Sequence, residues 1–167
     1  MPYIAIGDIH GQYFLLKRLL DKIESKYDLE NPDNRLVFLG DYIDRGSDNK
    51  DVIEYLINIK LCYPRSIFLR GNHEDMFLGW LGYTGSHGEM HWYNGGKEVY
   101  KEYEIPQDYY KVTYKGTCYP RVEDKVLRKC FPKEHLKFLR GLKYFHKTKN
   151  FIFVHAGILP KTSPLYL

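Results

Sequence analysis

Four short apolar runs in this chain each end at a glycine and at residues able to hold a cation or move a proton. Tyr3-Ile4-Ala5-Ile6-Gly7 leads to Asp8 and His10, and Leu36-Val37-Phe38-Leu39-Gly40 leads to Asp41, Asp44 and Arg45. Ser66-Ile67-Phe68-Leu69-Arg70-Gly71 leads to Asn72, His73 and Glu74, and Phe151-Ile152-Phe153-Val154 leads to His155 and Ala156-Gly157. Asp8, His10, Asp41, Asn72 and His155 are oxygen and nitrogen donors suited to divalent transition metals. One aspartate after a strand often does no more than cap the next helix. Four such endings in one chain point instead to a shared site.

The elements that must position these residues follow from the runs themselves. Short apolar runs that stop at glycine read as buried strands of a parallel sheet, and open α/β sheets collect ligands at the carboxyl ends of their strands. The glycines let the backbone turn sharply and approach a ligand. From Gln12 to Tyr27, Phe14, Leu15, Leu16, Leu19, Leu20 and Ile23 recur at helical spacing, with Lys17, Arg18, Asp21, Lys22 and Glu24 opposite. Asn31-Pro32-Asp33-Asn34 is a turn into the second strand. A second helix starts at Ser47 or Asp48, runs through Val52, Ile53, Leu56, Ile57 and Leu61, and ends at Tyr63-Pro64. Right-handed crossovers then set the first three strands parallel and adjacent, with Asp8, Asp41 and Asn72 at one edge.

Farther along, Glu74 to Leu81 reads as a short helix with Met76, Phe77, Trp80 and Leu81 inward, and Gly82 to Gly96 as an irregular loop near the site. His87 and His91 fall in that loop; flanking glycines argue against a helical metal pair, which leaves them as loop histidines. Val99 to Pro120, rich in tyrosine, is expected to form a cap or helical insertion along the substrate cleft. A helix from Pro132 or Lys133 through Leu136, Phe138 and Leu139 stops at Gly141, with His135 on its solvated face. Leu142–His146 and Phe151–His155 then form a hairpin.

Composition narrows the class. The 167 residues carry 25 Lys and Arg against 21 Asp and Glu, for a net charge of +4. The signs are interspersed, so no nucleic-acid-binding patch is expected, only weak attraction to anionic substrates. Cys62, Cys118 and Cys130 make neither a disulfide framework nor a zinc pattern. They are expected to be buried free thiols in a reducing compartment. No apolar run is long enough to span a bilayer and no leader precedes the first strand, so a soluble, cytoplasmic protein with no membrane partner is expected.

Gly7-Asp8-Ile9-His10-Gly11, Gly40-Asp41-Tyr42-Ile43-Asp44-Arg45-Gly46, Arg70-Gly71-Asn72-His73-Glu74 and Val154-His155-Ala156-Gly157 resemble the signature blocks of calcineurin-like metallophosphoesterases. More narrowly they resemble the phosphoprotein phosphatase branch with its bacterial and phage members, a middle block of which is similar to Trp92-Tyr93-Asn94-Gly95-Gly96. The resemblance runs the length of the chain. It implies an α/β fold, a mixed β-sandwich flanked by helices, in a single domain over residues 1–167.

It also implies a two-metal phosphoester hydrolase. Asp8, His10 and Asp41 hold one divalent ion, and Asp41, Asn72 and His155 contribute to the other, Asp41 bridging because a carboxylate has two oxygens. Manganese is the expected metal, with iron and zinc tenable, and a hydroxide bridging the ions would attack phosphorus. Arg45 and Arg70 aim guanidinium forks at phosphate oxygens, the alternative for each being an ion pair with a nearby acid. His73 is the general acid toward the leaving oxygen, with Asp44 holding its imidazole. The family supplies one more metal histidine well downstream of the Val-His-Ala-Gly block. The last ten residues here contain none, which implies a C-terminally incomplete domain that lacks the final strands.

The resemblance favours a serine/threonine phosphoprotein phosphatase, acting on phosphoproteins or small phosphoesters. Diadenosine tetraphosphate hydrolysis is an alternative within the same blocks. A non-catalytic metal- or phosphate-binding remnant is the alternative outside enzymes, although His73, Asp44, Arg45 and Arg70 are all present.

Overall fold

The computed structural model describes residues 2–106, 110–112, 118–120 and 127–158, the two three-residue stretches by their backbone alone. Strands β1 (Tyr3–Ile6), β2 (Arg35–Phe38) and β3 (Ile67–Phe68) form a parallel sheet in that order. Helices α1 (Tyr13–Glu24) and α2 (Asn49–Cys62) are the crossovers. Asp8, Asp41 and Asn72 therefore leave the carboxyl ends of adjacent strands, as the spacing predicts.

The middle strand is buried on both faces, which is why it reads as an unbroken apolar run. Alternation sends Leu36 and Phe38 to the helix side and Val37 to the other. Phe38 stacks on Phe68 at 4.9 Å. Val37, Ile67 and Leu69 form a second, smaller cluster on the opposite face. It is closed by Tyr3 and Phe153, whose rings lie 5.1 Å apart.

In α1 only Leu16, Leu20 and Ile23 are buried, while Phe14, Leu15 and Leu19 are 69%, 59% and 41% exposed. The buried set follows an i, i+4, i+7 stripe; the other three sit to its sides and overshoot the contact. Cys62, at the end of α2, is exposed rather than buried. Asp48 precedes α2 without a side-chain cap bond. Glu102 does that work from helix α4 (Lys97–Glu102), accepting the N–H groups of Asn49 at 3.0 Å and Lys50 at 2.9 Å. A carboxylate there satisfies amides that have no partner within the helix and faces the positive end of its dipole.

Helix α3 (Asn72–Trp80) starts two residues before the expected Glu74 and buries Met76, Phe77 and Trp80, with Leu81 just beyond it also buried. A 3₁₀ turn (Gly88–Met90) and a π turn (Trp92–Gly96) follow. The next stretch is core rather than cap as far as Ile105: Val99, Tyr100, Tyr103 and Ile105 are buried with the main cluster. Strands β4 (Tyr110–Val112) and β5 (Cys118–Pro120) pair antiparallel. The rest of the expected cap region lies outside the described residues.

Helix α5 (Lys133–Arg140) runs between Pro132 and Gly141, as expected. His135 is not solvated. It is 4% exposed, and the Tyr103 hydroxyl lies 2.7 Å from its Nδ1. Leu139 is one turn on and defines the same inward face, which carries the imidazole in with it. Burial lowers the His135 pKa from 6.5; Glu54 pulls it up and Lys50 pushes it further down. The native ring thus resists the proton that the unfolded chain accepts. The stability this lends is complete above the unfolded value and is lost as pH falls through it. Melting temperature should fall between pH 7 and pH 5.5, and His135→Gln should make that fall shallower; an identical slope in the variant would refute the assignment.

Strands β6 (Phe145–Lys147) and β7 (Ile152–Val154) form the predicted hairpin, shorter than expected. Its first part is given instead to the sheet: Lys143 bridges Leu69 in parallel, and its carbonyl accepts the Arg70 N–H at 2.7 Å. Among the described residues no helix is long and apolar enough to cross a membrane.

Candidate metal centre

The Asp41 carboxylate lies where all four strand ends meet. Its Oδ2 is 3.7 Å from His10 Nε2, 3.4 Å from His155 Nε2 and 3.9 Å from His73 Nε2. His10 Nε2 is 4.0 Å from Asp8 Oδ2, and Asn72 Oδ1 is 3.1 Å from His155 Nε2. Among the described residues two donor groups emerge, His10 with Asp41 and His73, and Asp8 with Asp41 and His155, each with ligand atoms within 4.8 Å of one another. Asp41 belongs to both. Asp8 thus stands beside His155 as well as beside His10, and His73 stands closer to the donors than the sequence grouping supposes.

The tautomers make these donors fit a divalent cation. A carbonyl only accepts, so the ring nitrogen facing it carries the hydrogen. His10 Nδ1 donates to the Ile43 carbonyl at 2.9 Å, and His155 Nδ1 to the Leu39 carbonyl at 3.1 Å. Each ring is thereby oriented with its Nε2 toward Asp41, the arrangement of metal-ligating histidines. His10 Nε2 is buried and has no hydrogen-bond partner. His155 Nε2 lies 3.1 Å from Asn72 Oδ1, so His10 Nε2 is the buried ring nitrogen of this group left unsatisfied, a costly state that a cation would relieve.

Charge follows the same geometry. Burial alone would raise the Asp41 pKa, but the His155 and His73 hydrogen bonds and the two ring charges hold it below the ordinary value. The hydrogen bond and charge of Asp41 in turn lift His155 above its usual range, against burial.

The local backbone is costly and heavily braced. His10, Asp41, Asp44 and Arg45 have φ of 45°, 54°, 74° and 66°, each a left-handed conformation that costs about 1–2 kcal/mol for a residue with a Cβ. The Asp41 carbonyl accepts the N–H groups of Ile9 and His10, both at 2.9 Å. Glu74, fully buried, collects four amides: Gly71 and Asp41 at 2.9 Å on one oxygen, Tyr42 at 2.7 Å and Ile43 at 3.3 Å on the other. Burial and the Asp41 charge push its carboxyl up to about 7 even so. A Cβ on Gly71 would lie 2.0 Å from Asp41 Oδ1, so only glycine lets these two strand ends touch.

His73 is 1% exposed. Its Nδ1–H donates to Asp44 Oδ2 at 2.7 Å, and Arg45 Nη2 donates to its Nε2 at 3.0 Å. Arg70 takes the ion pair that sequence treats as its lesser option: Nη1 lies 3.2 Å from Asp75 Oδ1 and donates to the Tyr144 hydroxyl and the Thr84 carbonyl at 2.8 and 3.1 Å. His87 is an exposed loop residue. His91 is not: it is completely buried, with Nε2 2.9 Å from Asp44 Oδ1. Asn49 is also buried, its Oδ1 accepting the Asp44 N–H at 2.7 Å. Glutamate at the third residue past Gly71 is a capping signal that sequence reasoning had available for Glu74. His91 and Asn49 carry no such signal.

Residues 1–164 match the calcineurin-like phosphoesterase model. Over 74 residues the chain is 47% identical to the serine/threonine-protein phosphatase PP1-delta of Caenorhabditis elegans, covering 44% of this chain and 23% of that protein. A solved cold-active protein tyrosine phosphatase superposes with a TM-score of 0.60 at 22% identity, over 94% of this chain and 41% of the other. A structure proposed as a diadenosine tetraphosphatase superposes at 0.56 and 20% identity, over 97% and 53%. The chain thus spans about a quarter of that curated relative and about half or less of these solved structures. With the family match running almost end to end, the chain belongs to the calcineurin-like phosphoesterases.

Proposed function

We propose that the chain is a metal-dependent phosphoester hydrolase whose substrates are phosphoserine and phosphothreonine residues of proteins. The observation that carries the reading is the convergence of His10, Asp8, Asn72 and His155 on Asp41, with the buried His10 Nε2 left without a hydrogen-bond partner. The identity to a serine/threonine phosphatase over 74 residues supports the substrate class.

Asp8, His10 and Asp41 would hold one ion, and Asp41, Asn72 and His155 a second, with manganese the metal proposed. Such ions supply Lewis-acid polarisation of the phosphoryl oxygens and activation of water. The chain's own residues do the rest. Asp44 fixes His73 with its proton on Nδ1, so Nε2 faces Arg45. An arriving phosphate draws the Arg45 fork onto two of its oxygens and frees Nε2 to take a proton from solvent and pass it to the departing oxygen. Arg70, clamped by Asp75 and Tyr144, presents a fixed positive charge at the end of β3.

The test is hydrolysis of p-nitrophenyl phosphate, phosphoserine peptides and diadenosine tetraphosphate with added manganese. Turnover that survives a chelator would overturn the metal mechanism, and turnover of the dinucleotide alone would overturn the substrate class. His73→Asn should keep its metal and lose about 10²- to 10⁴-fold on alkyl phosphates. It should lose far less on p-nitrophenyl phosphate, whose leaving group needs no proton. Equal losses on both would remove His73 from the acid role.

A further inference from the structure

We infer that His91 is a positioning residue of this site: buried behind Asp44, it holds the carboxylate in the orientation that sets the His73 tautomer. The inference rests on the phosphatase reading above and adds to it a residue that touches neither metal donors nor substrate. Asp44 is fully buried, and its two oxygens are divided between two imidazoles, Oδ2 to His73 Nδ1 at 2.7 Å and Oδ1 to His91 Nε2 at 2.9 Å. A carboxylate only accepts, so both nitrogens are donors. His91 then has Nδ1 as an acceptor, and the Tyr100 hydroxyl lies 2.9 Å from it. The hydrogen bonds run in one direction, from Tyr100 through His91 to Asp44.

The surroundings are shaped to this ring. His91 is 0% exposed and lies against Phe77 at 5.4 Å and Trp80 at 6.1 Å, while Tyr100 stacks on Trp80 at 4.1 Å. A Cβ on Gly96 would come within 2.5 Å of His91 Nδ1 and Cε1. The carbonyl of His91 accepts the N–H groups of Asn94 at 3.2 Å and Gly96 at 3.0 Å. The π turn with its glycine pair therefore folds around the imidazole and leaves it room. Without the ring, Asp44 Oδ1 is a buried, unpaired carboxylate oxygen, a costly state. The carboxyl then rotates or takes a proton, and either outcome releases His73 Nδ1–H.

His91→Phe and His91→Gln test this, because a glutamine amide can still donate to Asp44 and a phenyl ring cannot. His91→Phe should keep metal content and KM and lower kcat on alkyl phosphates by about 10- to 100-fold, less on p-nitrophenyl phosphate. His91→Gln should recover most of that loss. In a His73→Asn background His91→Phe should cost nothing further, since residues acting as a unit are not additive. An equal loss with and without His73, or a loss in Gln matching that in Phe, would overturn the inference and leave the phosphatase reading standing. A wild-type chain that hydrolyses none of the phosphoesters would overturn the reading itself. The geometry is then judged on the ¹⁵N-coupled His73 Nδ1–H resonance, which should be present in wild type and in Gln and lost in Phe. Its persistence in Phe would refute the positioning role. If His91→Phe does not fold, the Gln variant decides by the same two readouts.

Discussion

Replacing Asp41 by asparagine should strip the chain of bound metal and of turnover together. The change is nearly isosteric, and the amide oxygen can still accept the His73 N–H that Asp41 Oδ1 takes at 3.1 Å. What disappears is the charge and the second oxygen. An amide N–H₂ in the Oδ2 position would face His10 Nε2 and His155 Nε2, now 3.7 and 3.4 Å away, and would offer a donor to the unsatisfied His10 Nε2. The substitution therefore supplies donors where a metal would otherwise be required. Because Asp41 belongs to both donor groups, neither of the proposed ions would keep its set. Metal catalysis of this kind contributes several kcal/mol of transition-state stabilisation. Losing about 4 kcal/mol corresponds to a fall of about a thousandfold in kcat/KM. Elemental analysis beside phosphatase assays decides it, and a variant with undiminished metal content would refute the bridging role.

Glu74→Ala should be the most destabilising single change in the site, though the residue touches no substrate. Its two oxygens take the N–H groups of Gly71, Asp41, Tyr42 and Ile43, and the carboxylate is wholly enclosed. Each buried amide left without an acceptor costs about 1–3 kcal/mol. Some will find new partners as the loop relaxes, so a net loss of about 3–5 kcal/mol is expected out of a total near 5–15 kcal/mol. For a chain of this size that is a fall in melting temperature of about 10 °C or more. The left-handed Asp41 should relax as its brace goes, so metal binding should weaken at temperatures where the protein is still folded. Calorimetry and metal titration would show it. A melting temperature within a degree or two of wild type would mean that the four amides are satisfied in other ways.

The difference between what was legible in the sequence and what was not is a difference in range. Asp8, Asp41 and Asn72 could be aligned because each follows an apolar run whose length and glycine terminus are local properties, and β1, β2 and β3 pair as that spacing requires. His155 follows a fourth run of the same kind, Phe151–Val154, and its similarity to a family block supports grouping it with them. The misjudged residues have partners far along the chain. His135 looks polar on a short helix, yet Tyr103 provides it with a buried partner. Phe14, Leu15 and Leu19 fit a helical period, but the period says nothing of how wide the contact with the sheet is. His91 sits in a glycine-rich stretch that resembles a loop, and its partners Asp44 and Tyr100 have no sequence relation to it. Arg70 pairs with Asp75 and Tyr144, and the Tyr144 contact comes from far along the chain.

The contact of Glu102 with the start of α2 bears on how far such a domain can be whittled down. Residues 84–105 have the look of an appendage: short turns, scattered glycines and a six-residue helix. Yet Glu102 grips the first amides of α2, Asn49 passes that grip to the Asp44 backbone, and the Gly95 carbonyl accepts the Arg45 N–H at 3.3 Å. A minimised version that trims this stretch as decoration would be dismantling the mould in which the Asp41–Arg45 loop is cast. Grafting experiments that move the four glycine-ended blocks onto another scaffold would therefore need to carry this passive-looking piece along with them.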